Sequence, residues 1–200
     1  MRIVSGRFKG RAIKTPEGRN TRPTSDRTRE SMFNVLAHAE WAPSLEGARV
    51  MDVFAGSGAL GFEAISRGAV FCLFVETESS ARGCIRDNAE AFQLFGITRI
   101  HRRSAVDLGA KPAGLGAPFS IVFMDPPYAY NLVPGALEQL IRGAWITPDA
   151  LVIAETGSDE EAPVTPGWDL LDERTYGAAR VSFLRPQSGL PASGAQGEST

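Results

Sequence analysis

From Arg49 onward the hydrophobic positions fall into short, nearly unbroken runs separated by amphipathic stretches. Residues 50–54, 70–75, 119–124 and 150–154 are the runs, and apolar segments of this length without alternation suit strands buried on both faces. Residues 97–102 read as a weaker strand, and residues 169–176 and 180–185 as a closing pair around Gly177. Between these, residues 60–67, a stretch capped by Ser79 or Ser80 and running to about Leu94, and residues 132–145 carry apolar side chains at helical spacing. Leu137, Leu140 and Ile141 share one face of the last helix. Glu155 stands at the carboxyl end of the 150–154 run. The alternation of β and α units predicts an α/β fold with a mostly parallel sheet and helices on both faces.

The first 45 residues follow another pattern. Residues 2–5 and 11–14 alternate weakly and predict a small hairpin, with its turn between Gly6 and Gly10. Thr24 and Ser25 are N-cap candidates for a helix carrying Met32, Phe33, Leu36 and Ala37 and ending near Ala39. Pro43 and Gly47 close this part. After Pro186 the chain has almost no apolar residues and reads as a disordered tail. The predicted organisation is a basic N-terminal appendage over residues 1–45, a main domain over 46–185 and a tail over 186–200.

Charge sharpens the division. The chain has 200 residues and a net charge of −2, which alone argues against nucleic acid. Residues 1–30, however, hold nine basic side chains against three acidic ones, so the start carries +6 and the remaining 170 residues −8. Such asymmetry suggests a basic face that meets phosphates, with Arg7, Lys9, Arg11, Arg22, Arg27 and Arg29 as candidates. A competing reading ties some of these arginines to the acidic remainder. The two cysteines, Cys72 and Cys84, offer no disulfide framework or metal spacing. With no long apolar run and no secretory h-region, a cytosolic protein is expected.

The candidate chemistry lies at strand ends. Gly56, Gly58 and Gly61 form a G-x-G-x-x-G pattern after a strand, and Glu76 follows the first glycine at the distance of a ribose-binding acid. An adenosine-containing cofactor is implied. Asp52 bears on which one: beside a pyrophosphate its charge would be repelled by about 4 kcal/mol at ~4 Å in an effective dielectric of 20, whereas a sulfonium or ammonium would be attracted. A purely helix-capping role is the alternative. Glycines 56 and 58 let the backbone approach the ligand where a Cβ would clash.

Asp125-Pro126-Pro127-Tyr128 follows the strongest apolar run. The Pro-Pro backbone is rigid and lacks amide donors, so a carboxylate and the Pro126 carbonyl become neighbouring acceptors. These suit the two hydrogens of an exocyclic amine on a planar base. Tyr128 offers a stacking face, worth about 1–3 kcal/mol per base. Alignment of the amine lone pair on a methyl donor could supply up to about 7–11 kcal/mol of the barrier. Neither His38 nor His101 sits in a catalytic pattern, and no nucleophile elbow occurs.

With these residues in hand, the chain resembles the class I S-adenosylmethionine-dependent methyltransferases. More narrowly it is similar to the RsmD family of 16S ribosomal RNA guanine-N2 methyltransferases. The narrowing residues are Arg2-Ile3-Val4-Ser5-Gly6, Gly10-Arg11, Arg22-Pro23-Thr24, Asp26-Arg27, Arg29-Glu30 and Phe33-Asn34-Val35-Leu36. Residues 52–61, Phe74-Val75-Glu76, Asp125-Pro126-Pro127-Tyr128 and Tyr176-Gly177 also match. The resemblance implies a Rossmann-like three-layer α/β/α fold with a seven-stranded sheet whose last strand is antiparallel. It implies S-adenosylmethionine, and no metal, on a site comprising Asp52, Phe54, Ala55, Gly56, Ser57, Gly58, Glu76, Thr77, Ser104 and Ala105. It also implies a catalytic Asp125, Pro126, Pro127 and Tyr128, a monomer, and 16S rRNA or the small subunit as partner. The sequence departs from the pattern at Ser104, where the family usually has an acidic residue near the adenine amine, and at Thr77, where a charged residue is commoner. The rival readings are an adenine-N6 DNA methyltransferase, a nicotinamide oxidoreductase and a non-catalytic RNA-binding protein.

Overall fold

A computed structural model describes residues 1–16, 26–127, 130–160, 163 and 165–188. Its strands are β1 (Arg49–Val53), β2 (Phe71–Val75), β3 (Thr98–His101), β4 (Phe119–Met124), β5 (Ile146–Gly157), β6 (Trp168–Tyr176) and β7 (Ala179–Pro186). Among the described residues four α-helices accompany them: α1 (Asp26–His38) before β1, then α2 (Ala59–Ser66), α3 (Ser79–Ala91) and α4 (Leu132–Arg142). They build a seven-stranded sheet in the order β3-β2-β1-β4-β5-β7-β6. β1 to β5 run parallel, and β7 is antiparallel to both β5 and β6. The strand order reverses between β1 and β4, which makes their carboxyl ends the expected ligand crevice.

The apolar runs sort by parity. Val50, Cys72, Phe74, Ile121, Phe123, Leu151 and Ile153 face one layer, and Met51, Val53, Leu73, Val75, Val122, Met124 and Val152 the other. The second face is covered by α4 through Val133, Ala136, Leu137 and Leu140. The first is covered by α2 and α3, and also by Ile3, Ile13 and the α1 residues Met32, Phe33 and Leu36. The N-terminal segment is therefore a layer of the domain's own core. Its hairpin is a short antiparallel pair in which Ile3 N donates to the Arg11 carbonyl (2.9 Å) and Gly10 N to the Ile3 carbonyl (2.8 Å), around a 3-10 turn at Gly6–Phe8.

The bounds of three elements differ most from the sequence reading. α3 starts after Glu78, so Ser79 and Ser80 are helical residues and not its cap. It also ends at Ala91: Gln93 takes φ 59°, and Leu94 N reaches back to the Ala89 carbonyl at 2.8 Å. This is a Schellman stop with glutamine where glycine is usual. α4 stops at Arg142 in the same way, with Ala144 at φ 53° and Trp145 N bonded to Leu140 O at 3.0 Å. Trp145 turns back into the core, fully buried, and its indole donates to the Gly109 carbonyl (2.8 Å). β5 is longer than its apolar run because its antiparallel partner carries it on: Glu155, Thr156 and Gly157 pair with Val181, Arg180 and Ala179. Thr24, Ser25 and residues 189–200 of the expected tail lie outside the described residues. Among the described residues no helix is long and apolar enough to cross a membrane.

Candidate active site

The glycine loop leaves β1 through Phe54, which adopts φ 62°. A left-handed aromatic residue costs about 1–3 kcal/mol and persists only where its surroundings enforce it. Here Ala55 N donates to the Val75 carbonyl (3.1 Å), Gly56 N to Glu76 Oε2 (2.8 Å) and Gly58 N to the Ala55 carbonyl (2.7 Å). The glycines divide the work. A Cβ on Gly61 would lie 2.4 Å from the Phe74 ring and 2.5 Å from Cys72 Sγ, so this glycine lets α2 settle on β2. Gly58 (φ 80°) is similarly confined by Phe62 and Phe74, whereas a Cβ on Gly56 would meet nothing within 4 Å. The space over Gly56 is open to a ligand.

Glu76 follows β2 and is 8% exposed. Its two oxygens accept from Gly56 N and Glu78 N, each at 2.8 Å. One such bond per oxygen leaves a lone pair on each for hydroxyl donors. Thr77 is tied through its carbonyl to the Arg82 guanidinium. Ser104 Oγ accepts weakly from Val106 N (3.4 Å), and Ala105 is buried. At the end of β4, Asp125 N reaches the Val53 carbonyl at 3.4 Å, so the next residue past the strand still lies along β1. Asp125 is half-buried, Pro126 buried and Pro127 exposed; Tyr128 lies outside the described residues.

Asp52 has a definite partner: its Oδ2 accepts from Gly61 N at 2.9 Å, inside the first turn of α2. The contact it makes is thus the helix-capping one. Burial pushes its pKa well above 3.8; the Gly61 bond opposes this, and the negative charges of Asp125 and Glu76 add to it. Three carboxylates from three strand ends therefore share one electrostatic neighbourhood, which favours a cationic ligand. A carboxyl raised in this way contributes stability below its unfolded pKa and loses that contribution as pH rises through its folded value. Asp52→Asn keeps an acceptor for Gly61 and removes the buried charge, so its Tm at pH 8 is expected to equal or exceed that of the unsubstituted chain. A drop of several degrees in a thermal melt at that pH would contradict this.

The basic candidates separate. Arg29 is not a phosphate-facing residue: it is fully buried, bonded to Asp26 Oδ1 (2.8 Å) and the Arg2 carbonyl (2.5 Å), with Glu63 Oε2 at 3.8 Å from its Nε. Arg7, Lys9, Arg11 and Arg27 are exposed. Arg7 lies 4.7 Å above the Phe8 ring, and Arg11 lies 4.5 Å from the Phe92 ring with its guanidinium on the Ala91 carbonyl. Phe8 and Phe92 stack at 5.2 Å, which fixes the orientation of both arginines. Arg22 lies outside the described residues.

Sequence reasoning missed the residues that seat the basic turn. Glu63 of α2, fully buried, accepts from Val4 N (2.7 Å), Ser5 N (3.0 Å) and Arg67 Nε (2.7 Å). Ser66 Oγ donates to the Ser5 carbonyl and accepts from Phe8 N. Gly6 passes so close that a Cβ would lie 1.9 Å from the Ser66 carbonyl oxygen. A lone carboxylate within the apolar ALGFEAIS helix was the available signal for Glu63.

Comparison with known proteins extends the picture. A family model described as conserved hypothetical protein 95 matches residues 1–185. Ribosomal RNA small subunit methyltransferase D of Escherichia coli K12 is 32% identical, covering 100% of this chain and 93% of that one. The Haemophilus influenzae protein of the same name is 33% identical over 88% of this chain and 89% of its own. Among solved structures, the Escherichia coli protein yhhF superposes with a TM-score of 0.80 at 32% identity, covering 94% of this chain and 98% of that one.

Proposed function

The chain belongs to the conserved hypothetical protein 95 family, the RsmD family of ribosomal RNA methyltransferases, and from that premise we propose that it methylates the exocyclic N2 amine of a guanine in 16S rRNA. The observation that supports this best is the adjacency of two strand ends at the switch point. One carries the glycine loop with Glu76 beside it; the other carries Asp125-Pro126-Pro127. The proposed partner is the small ribosomal subunit or an assembly intermediate of it.

S-adenosylmethionine, when bound, supplies a methyl group on a sulfonium that leaves as a neutral thioether. The residues present fit it: open space over Gly56, spare acceptor capacity on Glu76, and the clustered carboxyl groups of Asp52, Glu76 and Asp125. In this reading Glu76 accepts from the ribose hydroxyls, and the backbone from Phe54 to Gly58 lines the donor. Asp125 and the Pro126 carbonyl hold the two amine hydrogens, which turns the nitrogen lone pair toward the methyl carbon. The amine nitrogen would take the methyl carbon as the sulfonium becomes a thioether, and the proton it sheds would pass to Asp125 or water. Because the lone pair exists before transfer, alignment carries most of the rate. A paired base cannot present its amine to a buried donor, so the guanine must be extruded or single-stranded. The exposed Arg7, Lys9, Arg11 and Arg27 hold the surrounding phosphates.

Tritiated methyl transfer tests the reading. Label is expected in 16S rRNA supplied as unmethylated 30S particles, and nucleoside analysis by mass spectrometry is expected to return N2-methylguanosine. Label in DNA alone, as N6-methyladenine, would overturn it. So would binding of NADH without binding of S-adenosylhomocysteine.

A further inference from the structure

Asn88 lies on the inner face of α3, 2% exposed, with its carboxamide pointing between two distant parts of the chain. Its Oδ1 accepts from Lys14 N at 2.8 Å. Its Nδ2 donates to the Lys14 carbonyl at 3.0 Å and to the Ser57 carbonyl at 3.1 Å. Both amide hydrogens and the oxygen are thus engaged. Lys14 belongs to the N-terminal segment, just after the basic turn, and Ser57 sits between the two glycines of the cofactor loop.

We propose that Asn88 is a positioning residue that couples the N-terminal segment to the cofactor loop, so that engaging RNA on the segment strengthens binding of the methyl donor. This rests on the reading that the loop holds S-adenosylmethionine and the basic turn holds RNA. The coupling follows from how few degrees of freedom are left. Arg11 is anchored on the Ala91 carbonyl and Lys14 on Asn88, so both grip the last turns of α3. Ile13 between them is buried in the core. A movement of the basic turn is therefore passed to Lys14, and through a single buried side chain to Ser57. Asn88 is buried between the exposed Lys14 and the half-buried Ser57, so its carboxamide is what ties the two backbones together. On the far side, Glu76 holds Gly56 N, so the loop is gripped on both sides of the Gly56–Ser57 peptide unit, at Gly56 N and at the Ser57 carbonyl. Engagement of the segment by RNA then favours the loop geometry that receives the donor. By linkage the donor must tighten RNA binding by the same factor.

Equilibrium dialysis with labelled S-adenosylhomocysteine, in the presence and absence of unmethylated 30S particles, tests this in the full-length chain. The unsubstituted protein is expected to bind about tenfold more tightly with particles, a usual size for coupling between sites. Asn88→Ala should bind equally with and without them. Its KM for S-adenosylmethionine should rise about tenfold while kcat stays within about twofold, a split that loss of folded protein would not produce. Asn88→Asp, of the same size, keeps an acceptor for Lys14 N but loses both donors, and should also lose the coupling. It serves if the alanine variant does not fold. Asp87→Ala removes only the exposed pair with Lys14 Nζ and should retain the coupling. Unchanged coupling in both Asn88 variants, or none in the unsubstituted chain, overturns the proposal. Failure of the unsubstituted chain to bind S-adenosylhomocysteine at all would instead overturn the functional reading beneath it.

Discussion

Asp125→Ala is expected to lower methyl transfer about 10³-fold while S-adenosylhomocysteine binding changes by less than about threefold. The size follows from what the side chain is asked to do. In the proposed reaction it fixes the amine and later accepts a proton; misplacing a reacting group by about 1 Å can alone cost 10²-fold, and loss of a proton acceptor that water partly replaces adds about another tenfold. The backbone of Asp125 is held on β1 through Val53, and truncation leaves that contact intact. The cofactor loop is secured separately, by Val75, Glu76, Asn88 and Asp52. Asp125→Asn retains one acceptor oxygen but places an amide where an acceptor is needed, so it should fall between. Single-turnover transfer to 30S particles, paired with titration of S-adenosylhomocysteine, separates the two effects. Turnover within tenfold of the unsubstituted enzyme would remove Asp125 from the reaction.

The largest effect on stability is expected at Glu63. Its carboxylate is fully buried and satisfies two backbone amides, the Arg67 guanidinium and the near charge of Arg29. Glu63→Ala leaves Arg29 buried with Asp26 and the Arg2 carbonyl as its remaining hydrogen-bond partners. Breaking a buried pair from one side costs about 3–5 kcal/mol. At about 2–4 °C per kcal/mol for a chain of this size, Tm should fall by roughly 10 °C. Glu63→Gln, which can still accept from one amide, should lose less. A change of under about 2 °C for the alanine variant, followed by circular dichroism, would show that the N-terminal segment is not held in this way.

The central strands were legible because burial on both faces leaves no room for polar residues: residues 119–124 of the sequence and β4 coincide. Boundaries failed where the deciding contact was made elsewhere. β5 runs past its apolar stretch because β7 pairs with it, and α3 and α4 end on left-handed Gln93 and Ala144, where no glycine marked the stop. The strand-end residues Glu76 and Asp125 could be placed in one crevice from topology alone. Arg29 could not be told from its exposed neighbours, since an arginine beside a helix start looks the same whether it meets solvent or a buried carboxylate. Asn88 and Ser66 gave no sign either. A polar residue on an amphipathic helix reveals nothing about the backbone it will satisfy.

The seating of the N-terminal turn also dictates an order of assembly. Val4 bonds to a residue 59 positions away and Lys14 to one 74 positions away, so neither contact can form until α2 and α3 exist. Contacts of such separation carry a large loop-closure cost and tend to form late. The N-terminal segment, made before α2 and α3, is thus among the last parts to find its place. Before those helices form, Arg7 and Arg11 belong to an unseated basic stretch, and the Phe8–Phe92 stack on which both lie appears only once α3 is built. In the proposed function, then, a nascent chain holds RNA weakly and without geometry until α2 and α3 are complete.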